Sequence, residues 1–279
     1  MADYLDATRI RGLAKRLDLR PSKGRGQNFL FDANTVRRIV GLAGIGDDDV
    51  VLEIGPGLGS LTVGLLHTPA RVVAVEIESA LAEQLPLTMA DLVPGAVDRL
   101  TVVEADALRV SADDLPVAPT MLVANLPYNI SVPVILHILA TFPSITRGLV
   151  MVQLEVADRL AAPPGSKVYG VPSAKLAWYA SASRVGIVPA SVFWPAPNVE
   201  SGLVGFTCRE APTGVDREST FALIDAAFSQ RRKMLRSVLT GKYGKGVRAG
   251  LDEAGINPEA RGETLSIEDF ARLARCLAD

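Results

Sequence analysis

The stretch Val50-Val-Leu-Glu-Ile-Gly-Pro-Gly-Leu-Gly-Ser60 joins a β-branched run to a glycine-rich turn and then to a segment of helical character. A glycine turn in this position lets the backbone approach a ligand closely, because glycine carries no Cβ. A dinucleotide site would have a third glycine, or alanine, at position 60. Ser60 stands there, so a NAD site is disfavoured but stays open, and so does a tight turn that binds nothing.

Similar β-branched runs recur on the carboxyl side of this turn, at residues 71–76, 100–103, 121–124 and 149–152. Segments of helical length or periodicity, such as 60–66 and 134–140, lie between them. Near-continuous apolar strands that alternate with helices indicate a parallel sheet covered on both faces, that is, an α/β doubly wound fold. A ligand is then expected beyond the carboxyl ends of the strands.

Two carboxylates stand at the ends of predicted strands. Glu76 closes the second strand, where a carboxylate can accept hydrogen bonds from both hydroxyls of a ribose, and Asp106 closes the third, where it can accept from an adenine amine. Either acid alone is equally well explained as a solvated loop carboxylate. Together with the glycine turn they predict a nucleoside site at three successive strand ends.

The most specific stretch is Asn125-Leu-Pro-Tyr128, which ends the fourth predicted strand. An adenine amine is a poor nucleophile, and the Asn125 side-chain oxygen and the Leu126 carbonyl can both accept from it. They would favour a tetrahedral nitrogen whose lone pair points at a sulfonium methyl group. Pro127 fixes the turn, and Tyr128 offers a face on which an extruded base can stack. The alternative is a strand-ending turn with a core tyrosine.

The chain ends in a predicted helical region. Residues 209–215 have the character of a polar linker, with Pro212 and Gly214, and the apolar spacing of 221–239 is helical. We therefore expect two domains, residues 1–208 with a basic amino-terminal helix and residues 209–279 as a small all-helical domain. Asp32 is the predicted N-cap of a helix that runs through Val40.

Charge is strongly segregated along the chain although the net charge is only −2. Residues 9–25 hold seven basic side chains and one acid, and residues 228–248 hold seven basic side chains and none. The rest of the chain contains fifteen basic residues and thirty acidic residues. Two such runs favour a phosphate-binding surface over a merely solvated face.

The rest of the composition narrows the class of protein. Cys208 and Cys276 are too few and too far apart for a zinc motif, so no metal is expected and a reducing compartment, the cytoplasm, is favoured. Apolar runs fall well short of the roughly 20 residues that a membrane span needs. His67 and His137 are expected to pack rather than to act in catalysis.

Over essentially its whole length the sequence resembles the small-subunit ribosomal RNA adenine dimethyltransferases, also called kasugamycin-resistance methyltransferases. The shared motifs, in the family's order, are Gln27-Asn-Phe-Leu30, the glycine turn, residues 125–131, residues 153–160, Lys167-Val-Tyr-Gly170, Gln230-Arg-Arg-Lys233 and Glu263-Thr-Leu-Ser266. The resemblance implies a Rossmann-like class I S-adenosylmethionine-dependent methyltransferase sheet with a small carboxyl-terminal helical domain. It also implies dimethylation of two adjacent adenosines in the 3′-terminal hairpin of 16S rRNA, within an immature small ribosomal subunit. The oligomeric state stays open, with a monomer favoured.

The same resemblance assigns roles to residues. The cofactor S-adenosylmethionine would be held by Gln27, Asn28, Leu30, Gly55, Gly57, Glu76, Asp106, Ala107 and Asn125. The target base would meet the residues from Asn125 to Tyr128 and, on its other side, Phe193, for which a packing role is the alternative. Ribosomal RNA phosphates would meet Arg231, Arg232, Lys233 and Arg236. Two departures from the family pattern, Lys23-Gly-Arg-Gly26 and Arg261-Gly262-Glu263, do not touch this chemistry.

Three rival functions stay open at this point. A large-subunit 23S rRNA adenine methyltransferase of the macrolide-resistance type would share the catalytic half, although residues 230–233 and 263–266 favour the small-subunit enzymes. A non-catalytic assembly factor would be expected to have lost Asn125, Tyr128 or the glycine turn, and all are intact. An NAD oxidoreductase would need a proton-relay residue that the strand ends lack.

Overall fold

The structure is a computed structural model, and it describes residues 4–19 and 28–277. Gln27 and Lys23-Gly-Arg-Gly26 lie outside the described residues. The chain forms two compact units: the sheet unit, Met1–Ala157 with Arg184–Thr207, and the helical unit, Asp158–Ser183 with Cys208–Asp279. No helix among the described residues is both long enough and apolar enough to cross a membrane.

The boundary between the units differs from the expected division after residue 208. Residues 158–183 were expected in the first domain, but they group with the carboxyl-terminal helices. The reason is packing: Tyr169, Ala174 and Trp178 are buried in one apolar cluster with residues such as Leu223 and Phe270. The chain therefore enters the helical unit twice, which local sequence patterns do not reveal.

A seven-stranded sheet forms the centre of the sheet unit. The described strands of the protein are β1 (Phe29–Leu30), β2 (Val50–Ile54), β3 (Arg71–Glu76), β4 (Leu100–Glu104), β5 (Met121–Asn125), β6 (Arg147–Gln153), β7 (Ala180–Val188), β8 (Phe193–Trp194) and β9 (Ser201–Cys208). The order of strands in the sheet is β4-β3-β2-β5-β6-β9-β7. Strands β2 to β6 run parallel to one another, and β9 pairs antiparallel with β6. The predicted α/β fold is confirmed, and the strand order reverses between β2 and β5, which is where such sheets bind ligands.

Helices surround the sheet and make up most of the helical unit. They are α1 (Ala7–Arg16), α2 (Ala33–Ala43), α3 (Ser60–Leu66), α4 (Ser79–Leu92), α5 (Ser131–Thr141), α6 (Leu154–Leu160), α7 (Val171–Ala177), α8 (Arg217–Phe228), α9 (Leu235–Tyr243), α10 (Val247–Glu253) and α11 (Ile267–Cys276). The Asp32 carboxylate accepts from the Thr35 N–H at 2.6 Å, which confirms the predicted cap of α2. The predicted helical run 221–239 is interrupted between α8 and α9.

The central strands are buried because both faces of the sheet are covered. Val51, Leu52, Val72 and Leu122 are fully inaccessible, which is the pattern expected of a parallel sheet. In the helical unit, Gly262 is buried where an added Cβ would lie 3.2 Å from the Ala227 backbone oxygen. Glycine at that position lets its turn approach α8 closely.

The buried carboxylate of Asp49 connects segments at the edge of the sheet where the parallel strands begin. It accepts from the Gly46 N–H at 2.7 Å, the Thr120 hydroxyl at 2.8 Å and the Arg147 guanidinium at 2.6 Å. Burial raises the pKa of Asp49, but these three bonds outweigh it and leave the pKa below its usual value. The side chain is therefore a stabilising anion far from the carboxyl edge of the strands.

Candidate active site

The glycine turn between β2 and α3 adopts a conformation that only glycine tolerates well. Its three glycines have positive φ angles, 66° at Gly55, 57° at Gly57 and 95° at Gly59. A Cβ at position 57 would lie 3.1 Å from the Phe29 ring, and one at position 59 would lie 2.7 Å from side-chain atoms of both Leu85 and Met89. The turn thus brings bare backbone to the carboxyl edge of the sheet.

Glu76 ends β3 with its carboxylate held by backbone. One oxygen accepts from the Ile77 N–H at 2.9 Å and the Glu78 N–H at 3.1 Å, and the other accepts from the Gly57 N–H at 3.1 Å. Burial raises the pKa of Glu76, and the three N–H bonds oppose this rise. The first oxygen thus already accepts two hydrogen bonds, whereas the second accepts one and keeps lone-pair capacity for a hydroxyl donor.

Glu53, which begins the glycine motif, is a further acid at this edge that we did not assign from the sequence. It is 1% exposed, and its Oε2 has no hydrogen-bond partner among the described residues. Burial, with a smaller contribution from the charge of Glu76, raises the pKa of Glu53 to about 8. At neutral pH this side chain is therefore mainly the neutral acid.

The Asn125-to-Tyr128 turn follows β5 and is anchored from two sides. The Asn125 Nδ2 donates weakly to the Asn28 carbonyl, at 3.5 Å. This bond does not use the side-chain oxygen of Asn125. The hydroxyl of Tyr128 lies 2.7 Å from that of Ser201, which is fully buried at the start of β9. No local sequence pattern points to Ser201, because 73 residues separate it from Tyr128.

These features surround one cavity of about 470 Å³. It brings together most of the predicted cofactor and base residues, namely Asn28, Leu30, Gly55, Gly57, Glu76, Asn125, Leu126, Pro127 and Tyr128. Glu53 and Ile77 line it as well, and Ile77 is 62% exposed. An isoleucine directly after the strand-ending acid is visible in the sequence and could have been included among the candidate site residues.

Among the described residues, three that were predicted to contact the cofactor or the target base do not line this cavity. Asp106 and Ala107 follow β4; the Asp106 carboxylate accepts from the Leu108 N–H at 2.9 Å and lies 3.8 Å from the Arg109 guanidinium. Phe193 is 3% exposed and belongs to the apolar core, and it pairs with Leu30 between β8 and β1. In this structure Phe193 packs rather than presenting a ring to the cavity.

The predicted RNA-binding residues lie in the helical unit. Arg231, Arg232 and Lys233 occupy the turn between α8 and α9, Arg236 lies on α9, and all four are exposed. Arg231 Nε lies 2.8 Å from a carboxylate oxygen of Glu263, and Arg236 lies 3.4 Å from Glu259.

The chemistry of the cavity fits S-adenosylmethionine. Glu76 presents a preorganised carboxylate for ribose hydroxyls, Ile77 gives an exposed apolar surface beside it, and Glu53 supplies a buried, unpartnered oxygen. These groups line the carboxyl edge of the strands at the switch point of a sheet in which β9 runs antiparallel to β6. Fold and site together define a class I S-adenosylmethionine-dependent methyltransferase.

Comparison with known proteins narrows this class. The family model described as ribosomal RNA adenine dimethylase matches residues 20–279. The chain belongs to the ribosomal RNA adenine dimethylase family. It is 58% identical to the ribosomal RNA small subunit methyltransferase A of Cutibacterium acnes, over 98% of this chain and 94% of that protein.

Two solved structures are similar to the chain over most of its length. A dimethyladenosine transferase from Plasmodium falciparum matches with a TM-score of 0.72 and 25% identity, over 88% of this chain and 95% of that one. A 23S rRNA methyltransferase matches with a TM-score of 0.64 and 27% identity, over 90% of this chain and all of that one. A dimethyladenosine transferase and a 23S rRNA methyltransferase thus share this architecture.

Proposed function

We propose that the protein dimethylates N6 of two adjacent adenosines in the 3′-terminal hairpin of 16S rRNA, within an immature small ribosomal subunit. The observation that carries the proposal is the Asn125-to-Tyr128 turn at the wall of a cavity whose other wall suits a nucleoside cofactor. We further propose that the protein acts as a monomer in the cytoplasm. The identity to a small-subunit methyltransferase supports the choice of ribosomal subunit.

In the proposed complex, residues from three strand ends hold the cofactor. Glu76 accepts from the ribose hydroxyls, and the glycine turn lets the ligand lie against bare backbone at Gly55 and Gly57. Asn28 and Leu30 line the methionine end. When bound, S-adenosylmethionine supplies an electrophilic methyl group on a positively charged sulfonium. Gln27 remains part of this proposal on the resemblance alone.

Asp106 and Ala107 are proposed for the adenine end of the cofactor. Support comes from strand adjacency: β4 pairs with β3, and the Ala105 N–H donates to the Glu76 carbonyl at 3.0 Å. Asp106 therefore stands one strand away from the ribose-binding acid, at the same edge of the sheet. The exposed Ile77 side chain lies in the cavity beside Glu76 and offers an apolar surface to a ring.

The target adenine is positioned by the turn after β5. The Asn125 side-chain oxygen and the Leu126 carbonyl accept from the two N–H bonds of the amine, which pulls its lone pair out of conjugation and toward the methyl group. Pro127 fixes the turn, and the Tyr128 ring, held by Ser201, stacks on the base. Because the amine becomes acidic as it is methylated, its proton can pass to water and no strong general base is required.

Phe193 was expected opposite Tyr128, with a packing role as the alternative, and its burial supports the packing role. It is buried against the core while its neighbour Trp194 is only partly buried and lies against Phe29, with ring centroids 6.4 Å apart. A role for Phe193 on the target base would require this segment to rearrange when RNA binds.

The proposal is tested by transfer of labelled methyl from S-adenosylmethionine to undermethylated small and large ribosomal subunits, with mapping of the modified bases. Wild type and Asn125→Ala are assayed in parallel, and the thermal unfolding of both is measured as a control for folding. We expect dimethyladenosine in the 3′ hairpin of 16S rRNA, and a loss of rate on the order of 10²-fold in the variant.

Two other outcomes would refute the proposal. Methylation confined to the large subunit would assign the protein to the 23S enzymes that share its fold. No transfer to either subunit would favour an assembly factor without catalytic activity.

A further inference from the structure

Glu263 joins three segments of the helical unit that are far apart in sequence: residues 163–168, 229–233 and 261–264. Its backbone carbonyl accepts from the Gly165 N–H at 2.7 Å. Its carboxylate accepts from Arg231 Nε at 2.8 Å, and Nη2 of the same guanidinium donates to the Lys167 carbonyl at 2.6 Å. We call this set of contacts the Glu263 clasp.

The clasp brings together in space three motifs that the family resemblance identified only as separate stretches of sequence. Lys167 opens Lys167-Val-Tyr-Gly170, Arg231 lies in Gln230-Arg-Arg-Lys233, and Glu263 opens Glu263-Thr-Leu-Ser266. Two further bonds make the third segment rigid, because the Thr264 N–H and hydroxyl both donate to the Arg261 carbonyl, at 3.0 and 2.9 Å.

The three segments together carry a cluster of cations. Lys167, Arg232, Lys233 and Arg261 are all exposed, and the one acid within these segments, Glu263, is paired with Arg231. Like charges held near one another repel, and a polyanion such as an RNA backbone offsets that repulsion. Arg231 differs from the other cations because its guanidinium is already engaged by a carboxylate and a carbonyl.

We propose that Lys167 and Arg261 bind ribosomal RNA phosphates together with Arg232 and Lys233, and that Arg231 is a positioning residue that holds their three segments in place through Glu263. The inference rests on the proposed function, because it takes the small-subunit RNA as the polyanion. It adds two residues to the expected RNA-binding surface and gives Arg231 a different role in it.

The first test measures the affinity of the full-length protein for undermethylated small subunits at several salt concentrations. Each phosphate contact contributes close to one unit to the slope of log affinity against log salt concentration. We expect Lys167→Gln and Arg261→Gln each to weaken binding and to lower that slope by about one. Arg71→Gln is the matched control, since Arg71 is exposed at the start of β3, on the sheet edge away from the cavity.

The second test asks whether the Glu263 clasp affects RNA affinity by positioning its segments or only by its charge. Glu263→Ala removes an acid from a cationic surface, so charge alone predicts tighter RNA binding, whereas loss of the clasp predicts weaker binding. Arg231→Lys keeps every charge but loses the planar fork that reaches both acceptors. We expect weaker binding and a lower slope in both variants, while Arg231→Lys keeps the wild-type unfolding temperature within a few degrees.

The outcomes distinguish the two proposals. If wild type binds and methylates small subunits but Lys167→Gln and Arg261→Gln keep its affinity and slope, the inference is wrong and the proposed function stands. Tighter binding by Glu263→Ala would refute the positioning role of Arg231. If wild type neither binds nor methylates small subunits, both proposals fail.

Discussion

The Tyr128 hydroxyl lies 2.7 Å from the Ser201 hydroxyl, so the ring proposed to stack on the target base is anchored from β9, a strand far away in sequence. We expect Ser201→Ala to slow methyl transfer about three- to tenfold, because a hydrogen bond of this kind contributes about 0.5–1.5 kcal/mol. Single-turnover kinetics on undermethylated small subunits measure the effect.

The matched variant is Tyr128→Phe, which removes the other partner of the same bond and keeps the ring. The two single variants and the double variant are expected to slow the reaction equally, since all three lose one interaction. S-adenosylmethionine affinity should not change in any of them. Additive losses in the double variant would show that Ser201 does not act through Tyr128.

The buried acid Glu53 predicts a stability that depends on pH. Its pKa is about 8 in the folded protein, above the ordinary value of 4.5, so the folded state binds a proton that the unfolded state has lost. Its contribution is fully present below about pH 4.5 and is lost as the pH rises through about 8. Glu53→Gln removes this dependence, and we expect it to stabilise the unliganded protein by a few kcal/mol at pH 8.

Urea unfolding at pH 5, 7 and 8 checks this expectation. Glu76, whose pKa is also raised by burial, changes stability in the same direction in both proteins, so the difference between them reports Glu53. Parallel stability curves for wild type and Glu53→Gln across this range would contradict the assignment.

Asp49, at the end of the sheet where the parallel strands begin, predicts the reverse dependence of stability on pH. Its three hydrogen bonds hold the pKa below 3.8, so its contribution is present above that value and is lost as the pH falls through the lower folded pKa. We expect Asp49→Asn to lower the free energy of unfolding by about 1–3 kcal/mol at pH 7, and by less at pH 3. Asp48→Asn, an exposed neighbour, is the control and should stay within about 0.5 kcal/mol of wild type.

The position of Gly59 predicts that a side chain at this point of the glycine turn destabilises the protein. Alanine there would adopt a φ of 95° and place its Cβ 2.7 Å from side-chain atoms of Leu85 and Met89, so we expect a loss of about 2–4 kcal/mol in stability. Gly41→Ala is the matched control, because that helical position has nothing within 4 Å of an added Cβ. It should stabilise the protein by about 0.5–1 kcal/mol. Equal unfolding midpoints for the two variants would contradict this reasoning.

The parts of the site that could be predicted from sequence are those that local patterns determine. The glycine turn, Glu76 and Asn125 each follow a β-branched run, and the carboxyl ends of parallel strands meet at one edge whatever the details of packing. Asp106 shows the limit of this reasoning, because the end of a strand does not specify which way a side chain points after it. Ser201 and the burial of Phe193 depend on contacts between distant segments, which have no local pattern.

The double crossing of the chain between its two units has a consequence for synthesis on the ribosome. When residue 208 has left the ribosome, the sheet unit is complete, but Tyr169 and Trp178 have emerged without the later helices that bury them. Until residues up to about 277 follow, these aromatic side chains are exposed to other nascent chains and to proteases. A gene fragment that stops after the sheet is therefore expected to give an aggregating product, and a soluble catalytic fragment would also have to omit residues 158–179, which precede β7.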